Sequence, residues 1–128
     1  MSRPQAESLL EAFAEFKPTL VEGDLADSSR LRQQGCMSCQ VAPRKADAVS
    51  KILRLACEKD IPVRIRAQGH SLNGSCLREP SELLLATRNF RHVRFEEPGT
   101  VTAGGGMVLW VLQHMGRQHG FDLPVLHD

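Results

Sequence analysis

The feature that most restricts how this chain can fold is a helical stripe set between two strand-like segments. Over residues 45–59, Val49, Ile52, Leu53 and Ala56 recur on one face, while Lys45, Asp47, Lys51, Arg54 and Glu58 lie mostly away from it. Cys57 also falls on the apolar stripe, which places it in the core. Before the helix, residues 39–42 read as a short strand closed by Pro43. After it, Pro62, Val63, Arg64, Ile65 and Arg66 alternate apolar with polar, the period of a strand. A strand, a crossover helix and a second strand make a parallel βαβ unit.

The other segments are shorter. Residues 8–16 carry apolar side chains three to four apart, so a helix is expected, stopped before Pro18. Residues 20–34 are polar and lack a clear period; a loop with at most one helical turn is expected there. Leu83, Leu84, Leu85 and Ala86 form an unbroken apolar run suited to a buried strand. Residues 92–96 and 100–103 are two further strands about a Pro98-Gly99 turn. A helix over residues 107–118 ends at Gly120, a C-cap. The plan is α+β with an α/β-like βαβ unit near the start.

Composition removes several function classes. Sixteen basic residues against 15 acidic leave a net charge of +1, without the basic excess that nucleic acid or an anionic membrane calls for. No apolar run approaches the roughly 18 residues of a spanning helix. The first residues lack the apolar stretch of a secretory signal, so a cytoplasmic setting is expected. In that setting Cys36, Cys39, Cys57 and Cys76 do not suggest a disulfide framework. Cys36 and Cys39 form a Cys-x-x-Cys, the spacing of half a zinc site or of a redox pair. No second pair of ligands follows, so no metal is assigned.

The densest chemistry lies at Arg66-Ala67-Gln68-Gly69-His70-Ser71-Leu72-Asn73-Gly74-Ser75. Backbone N–H groups in such a turn can form a concave anion site, and glycine permits the positive φ that this requires. Ser71 and Ser75 add hydroxyl donors, and Arg66 adds charge. The loop is neither a Walker A loop nor a Rossmann glycine fingerprint. From composition alone, a plain surface turn and a nucleotide site both stay open. Gly104-Gly105-Gly106 likewise suits an anion at a helix N-terminus or a tight strand-to-helix turn, and the second reading is favoured.

The order of these segments is more specific. Arg-x-x-Gly-His-Ser-x-Asn-Gly, after Pro62-Val63 and before Thr-Val-Thr-Ala-Gly-Gly-Gly and a helix with Trp110, resembles the FAD-binding (PCMH-type) domain of the vanillyl-alcohol-oxidase superfamily. Within it the chain looks closest to the cytokinin dehydrogenases and their bacterial relatives, over residues 9–128. The resemblance implies an FAD-dependent oxidase or dehydrogenase in which Arg66, Ala67, Gln68, Gly69, His70 and Ser71 wrap the FAD pyrophosphate, with Ser75 nearby. His70 matches the histidine that in many members bonds covalently to the flavin 8α-methyl carbon, and a neutral imidazole suited to that attack is available near pH 7. Asp128 aligns with an aspartate that contacts flavin. No cysteine stands near Val125, so single attachment is implied.

Two departures from the family are visible. Ala67 stands where members usually have glycine, and a Cβ there would crowd the phosphate or exclude a positive φ. The chain also ends where the family continues with a second phosphate segment and a substrate domain. Residues 1–34 are therefore expected as an N-terminal helix and loop, and residues 35–128 as a partial flavin domain. It is expected to need a second polypeptide or a homo-oligomer, and no catalytic residue is assigned. The competing reading is a non-catalytic interaction or binding module that keeps the fold without flavin. A Cys-x-x-Cys redox protein is a third.

Overall fold

The computed structural model describes residues 3–26, 32–70, 73, 77, 81–96 and 99–124. Helix α1 (Arg3–Ala12) runs into a 3-10 turn at Ala14–Phe16 and then β1 (Thr19–Ala26) and β2 (Arg32–Val41). Helix α2 (Ala46–Glu58), β3 (Val63–Arg66), β4 (Leu83–Ala86), β5 (Val93–Glu96), β6 (Thr100–Ala103) and α3 (Leu109–Gln118) follow. One sheet has the order β1-β2-β4-β3 and a second holds β5 and β6. This is the α+β plan, with the parallel crossover in place.

Its topology differs from a simple βαβ unit in one respect. Strands β2 and β3, joined by α2, both run parallel to β4, which lies between them. Strand β3 is an edge strand, and the chain leaves it at its carboxyl end. Residues 20–34 also depart from expectation. They belong largely to an antiparallel hairpin in which Leu20 faces Cys39 and Val21 faces Ser38, with a register shift between Gly23 and Leu25. Strand β1 is the other edge of the sheet, so it is held by its ladder to β2 without needing an apolar pattern of its own.

The main core lies between α1, α2 and the parallel strands. Leu9, Phe13, Cys39, Val41, Ile52, Ala56, Leu83 and Leu85 form it, with Val49, Leu55, Ile61 and Val63 packed against it. The first helix starts earlier than its apolar spacing suggested, at Arg3, and Ala6 is also buried. In α2 the buried stripe is narrower than expected: Leu53 is 42% exposed and Cys57 is exposed. Both sit on the flanks of the stripe that Ile52 and Ala56 centre, so neither is core.

Helices α2 and α3 end by the same device. After α2 the Asp60 N–H donates to the Cys57 carbonyl (3.2 Å) and Ile61 N–H to that of Ala56 (2.8 Å). After α3 the Gly120 N–H donates to Arg117 (3.2 Å) and Phe121 N–H to Gly116 (2.9 Å). Each is a Schellman closure needing a left-handed residue, Asp60 at φ 53° and Gly120 at φ 76°. Phe121 then packs on Phe95 of β5, their ring centroids 5.4 Å apart, and His119 stacks on the same ring at 4.4 Å. Those contacts seat α3 on the β5–β6 hairpin.

Candidate functional site

The parallel strands β2, β4 and β3 deliver their carboxyl ends to one edge, the edge at which open α/β sheets bind ligands. Three segments meet there: residues 66–70 after β3, the turn at residues 87–90 after β4, and Gly104-Gly105-Gly106 after β6. Four hydrogen bonds join them. The Thr87 N–H donates to the Arg66 carbonyl at 3.0 Å, and Gly106 N–H to that of Phe90 at 2.9 Å. Thr87 Oγ1 donates to the Gly105 carbonyl at 3.0 Å, and Gln68 Nε2 to that of Gly106 at 3.2 Å. Asn89 Nδ2 ties the turn to the end of β2 through the Ala42 carbonyl at 2.7 Å.

The glycine segment is built for closeness to protein rather than to a ligand. A Cβ on Gly106 would collide with the Thr87 carbonyl, and one on Gly104 with that of Phe90. Both glycines are buried. The structural role expected of this segment is therefore the one it plays.

In the 66–70 turn, Gly69 adopts φ +84°, and the Arg66 guanidinium lies over it, such that an added Cβ would stand 3.0 Å from the Arg66 Cζ. Ala67 is not among the residues with positive φ, so its Cβ imposes no backbone strain. Among the described residues, no backbone carbonyl accepts from the N–H groups of Ala67, Gln68, Gly69 or His70. Four consecutive donors without a backbone partner among the described residues, a positive-φ glycine and an adjacent guanidinium fit an anionic pyrophosphate. His70 is exposed, its imidazole accessible to a bound group. Ser71, Ser75 and Asp128 lie outside the described residues.

The same edge is basic elsewhere. A recess of about 920 Å³ between the 3-10 turn and the start of α2 is lined by Lys17, Arg44, Lys45, Lys51 and Arg88 against Glu15 and Asp47. Composition gave no sign of this concentration, because the acids that balance it lie elsewhere in the chain.

Sequence reasoning gave no sign of the side-chain contacts made by Thr87, Gln68 and Asn89. Each acts through one side-chain hydrogen bond to a distant backbone carbonyl, which leaves no local pattern. The Cys-x-x-Cys falls within continuous strand β2, where the backbone rises about 10 Å over three residues, rather than on the tight turn such a motif uses. Burial pushes the Cys39 thiol up to about 11, the opposite of an activated thiolate. No cluster able to hold a metal occurs among the described residues, nor any helix long and apolar enough to cross a membrane.

Comparison with known proteins agrees with this geometry. The family profile described as an FAD binding domain matches residues 37–127. A D-lactate dehydrogenase of Archaeoglobus fulgidus is 31% identical over 85 residues, which are 66% of this chain and 19% of that protein. The crystal structure of cholesterol oxidase from B. sterolicum superposes with a TM-score of 0.65 at 17% identity, over 80% of this chain and 20% of that one. An alkyldihydroxyacetonephosphate synthase gives 0.66 at 17%, over 94% and 28%. The chain thus spans less than a third of the length of these relatives. It belongs to the FAD-binding-domain family, and FAD is the cofactor of that domain.

Proposed function

We propose that the chain carries the pyrophosphate-binding and flavin-attaching part of an FAD-dependent oxidase or dehydrogenase. The observation that carries this is the 66–70 turn, with four N–H groups that lack backbone acceptors among the described residues, beside Arg66 at the carboxyl end of β3. Arg66, Ala67, Gln68, Gly69, His70 and Ser71 hold the diphosphate, through backbone donors and the Arg66 charge. Ser75 and Asp128 complete the reading from the family pattern. When bound, FAD supplies the hydride acceptor of the reaction.

His70 would hold the flavin covalently through a ring nitrogen at the 8α-methyl carbon, and the bound flavin would supply the redox chemistry. Support comes from the Gly69-His70-Ser71 order and from the exposure of His70. The flavin domain, expected over residues 35–128, is completed by further polypeptide, a separate chain or a second copy, in a cytoplasmic protein.

The test is acid precipitation of the flavin-loaded protein. Yellow colour should stay with the polypeptide in the wild type and be released by His70→Ala. Covalent flavin retained by the alanine variant would exclude His70. Protein that never takes up FAD, even with its completing polypeptide, would favour a binding module that keeps only the fold.

A further inference from the structure

Gln68 stands out among the residues of the turn because its side chain points away from the role its backbone plays. The family pattern and the loop geometry concern the backbone of residues 66–70. The Gln68 amide reaches instead across 38 residues to the Gly106 carbonyl at 3.2 Å. That carbonyl belongs to a segment which cannot drift. Gly106 N–H is bonded to Phe90, Gly104 N–H to His92, both at 2.9 Å, and the two glycines rest against the backbone at Phe90 and Thr87.

At its start the turn is bonded to the sheet, Thr87 N–H donating to the Arg66 carbonyl, and among the described residues no backbone carbonyl accepts from Ala67 through His70. A turn held only at its first residue would lose its shape whenever the donors lack an anion, because repelling N–H dipoles gain by separating. A second anchor two residues on, in the side chain of Gln68, leaves the N–H groups free while fixing where they point.

We propose that Gln68 is a positioning residue for the cofactor. Its amide clasps the 66–70 turn to Gly106, so the anion-binding donors are set before FAD arrives and depend on the order of the 104–106 segment. The proposal rests on the assignment of this turn to the FAD diphosphate. Thr87 is the second strap of the same clasp, through its N–H to Arg66 and its Oγ1 to Gly105. Preorganisation of this kind raises affinity by removing an ordering step from binding.

The experiment is amide hydrogen exchange on the full chain without FAD, paired with FAD titration, for Gln68→Ala, Thr87→Val and the double variant. Gln68→Ala should speed exchange at residues 67–70 about fivefold, the effect of one net hydrogen bond, with β2, β4 and α2 unchanged. FAD affinity should fall by a similar factor. The two substitutions should be non-additive in both readouts, since they share the 105–106 anchor. Unchanged exchange at 67–70 in Gln68→Ala would overturn the clasp. So would faster exchange spread evenly over the strands, which signals general destabilisation. A loosened turn with undiminished FAD affinity would overturn the positioning role. Failure of the wild type to bind FAD would strike the cofactor assignment, while the exchange measurement would still decide the clasp.

Discussion

The two parts of this molecule are held by different forces. The part built from α1, α2 and the four-stranded sheet has an apolar core, with Phe13, Ile52, Val41 and Leu83 fully buried. The part built from β5, β6 and α3 has little such core. Leu112 is its buried apolar side chain among the described residues, and a two-stranded ribbon is marginal alone. Close backbone approach at Gly104 and Gly106, and the Phe95–Phe121–His119 stack, hold it instead. The 66–70 turn sits at the junction, rooted in the first part and strapped to the second. Stability is thus supplied by one half, and the shape of the site by contact with the other.

This contrast can be broken from either side. The largest effect should come from Phe13→Ala, which opens a cavity in the apolar core; about 3–5 kcal/mol of unfolding free energy should be lost in a denaturant titration. A smaller but more local loss is expected from Gly106→Ala, whose Cβ collides with the Thr87 carbonyl. Overpacking of this kind costs roughly 1–3 kcal/mol, and its imprint in hydrogen exchange should fall on residues 66–70, 87–90 and β6 while α2 stays protected. Equal deprotection of α2 would mean that the two parts are one cooperative unit.

Two smaller effects sharpen the comparison at the helix ends. Asp60 closes α2 with φ 53°, a conformation that glycine adopts more readily. Asp60→Gly should therefore raise stability slightly, by about 0.5 kcal/mol after the greater freedom of glycine in the unfolded chain is set against the relieved strain. The smallest effect concerns Asp122 after α3. Its carboxyl is held below the ordinary range by a hydrogen bond from Gln113 Nε2 (3.0 Å), then by Arg117. A depressed folded-state value means that its contribution is present above the unfolded value and fades as pH falls through the folded one. Amides at the end of α3 should lose protection below the ordinary carboxylate range, and Asp122→Asn should abolish that dependence.

The legibility of the chain followed the same divide between apolar burial and long-range polar contact. Helix α2 and strands β3 and β4 were readable because apolar period and burial coincide there. Strand β1 and the part of β2 before Cys39 were not, since a polar edge hairpin is held by its partner strand and not by its own composition. Insertion of β4 between β2 and β3 was hidden for a related reason: each strand has the same local pattern in either order. At the site, the structural use of Gly104 and Gly106 was legible. The Gln68–Gly106 and Thr87–Gly105 bonds were not, because a glutamine or threonine gives no sign of which distant carbonyl it will meet.

The central claim, that FAD is held on the N–H groups of the 66–70 turn, is tested most directly by titrating FAD into the protein while following individual backbone amides by NMR. The account predicts the largest shifts and the greatest gain in exchange protection at Ala67, Gln68, Gly69 and His70. Tight binding of FAD with those four amides unmoved, and the changes centred elsewhere, would contradict it.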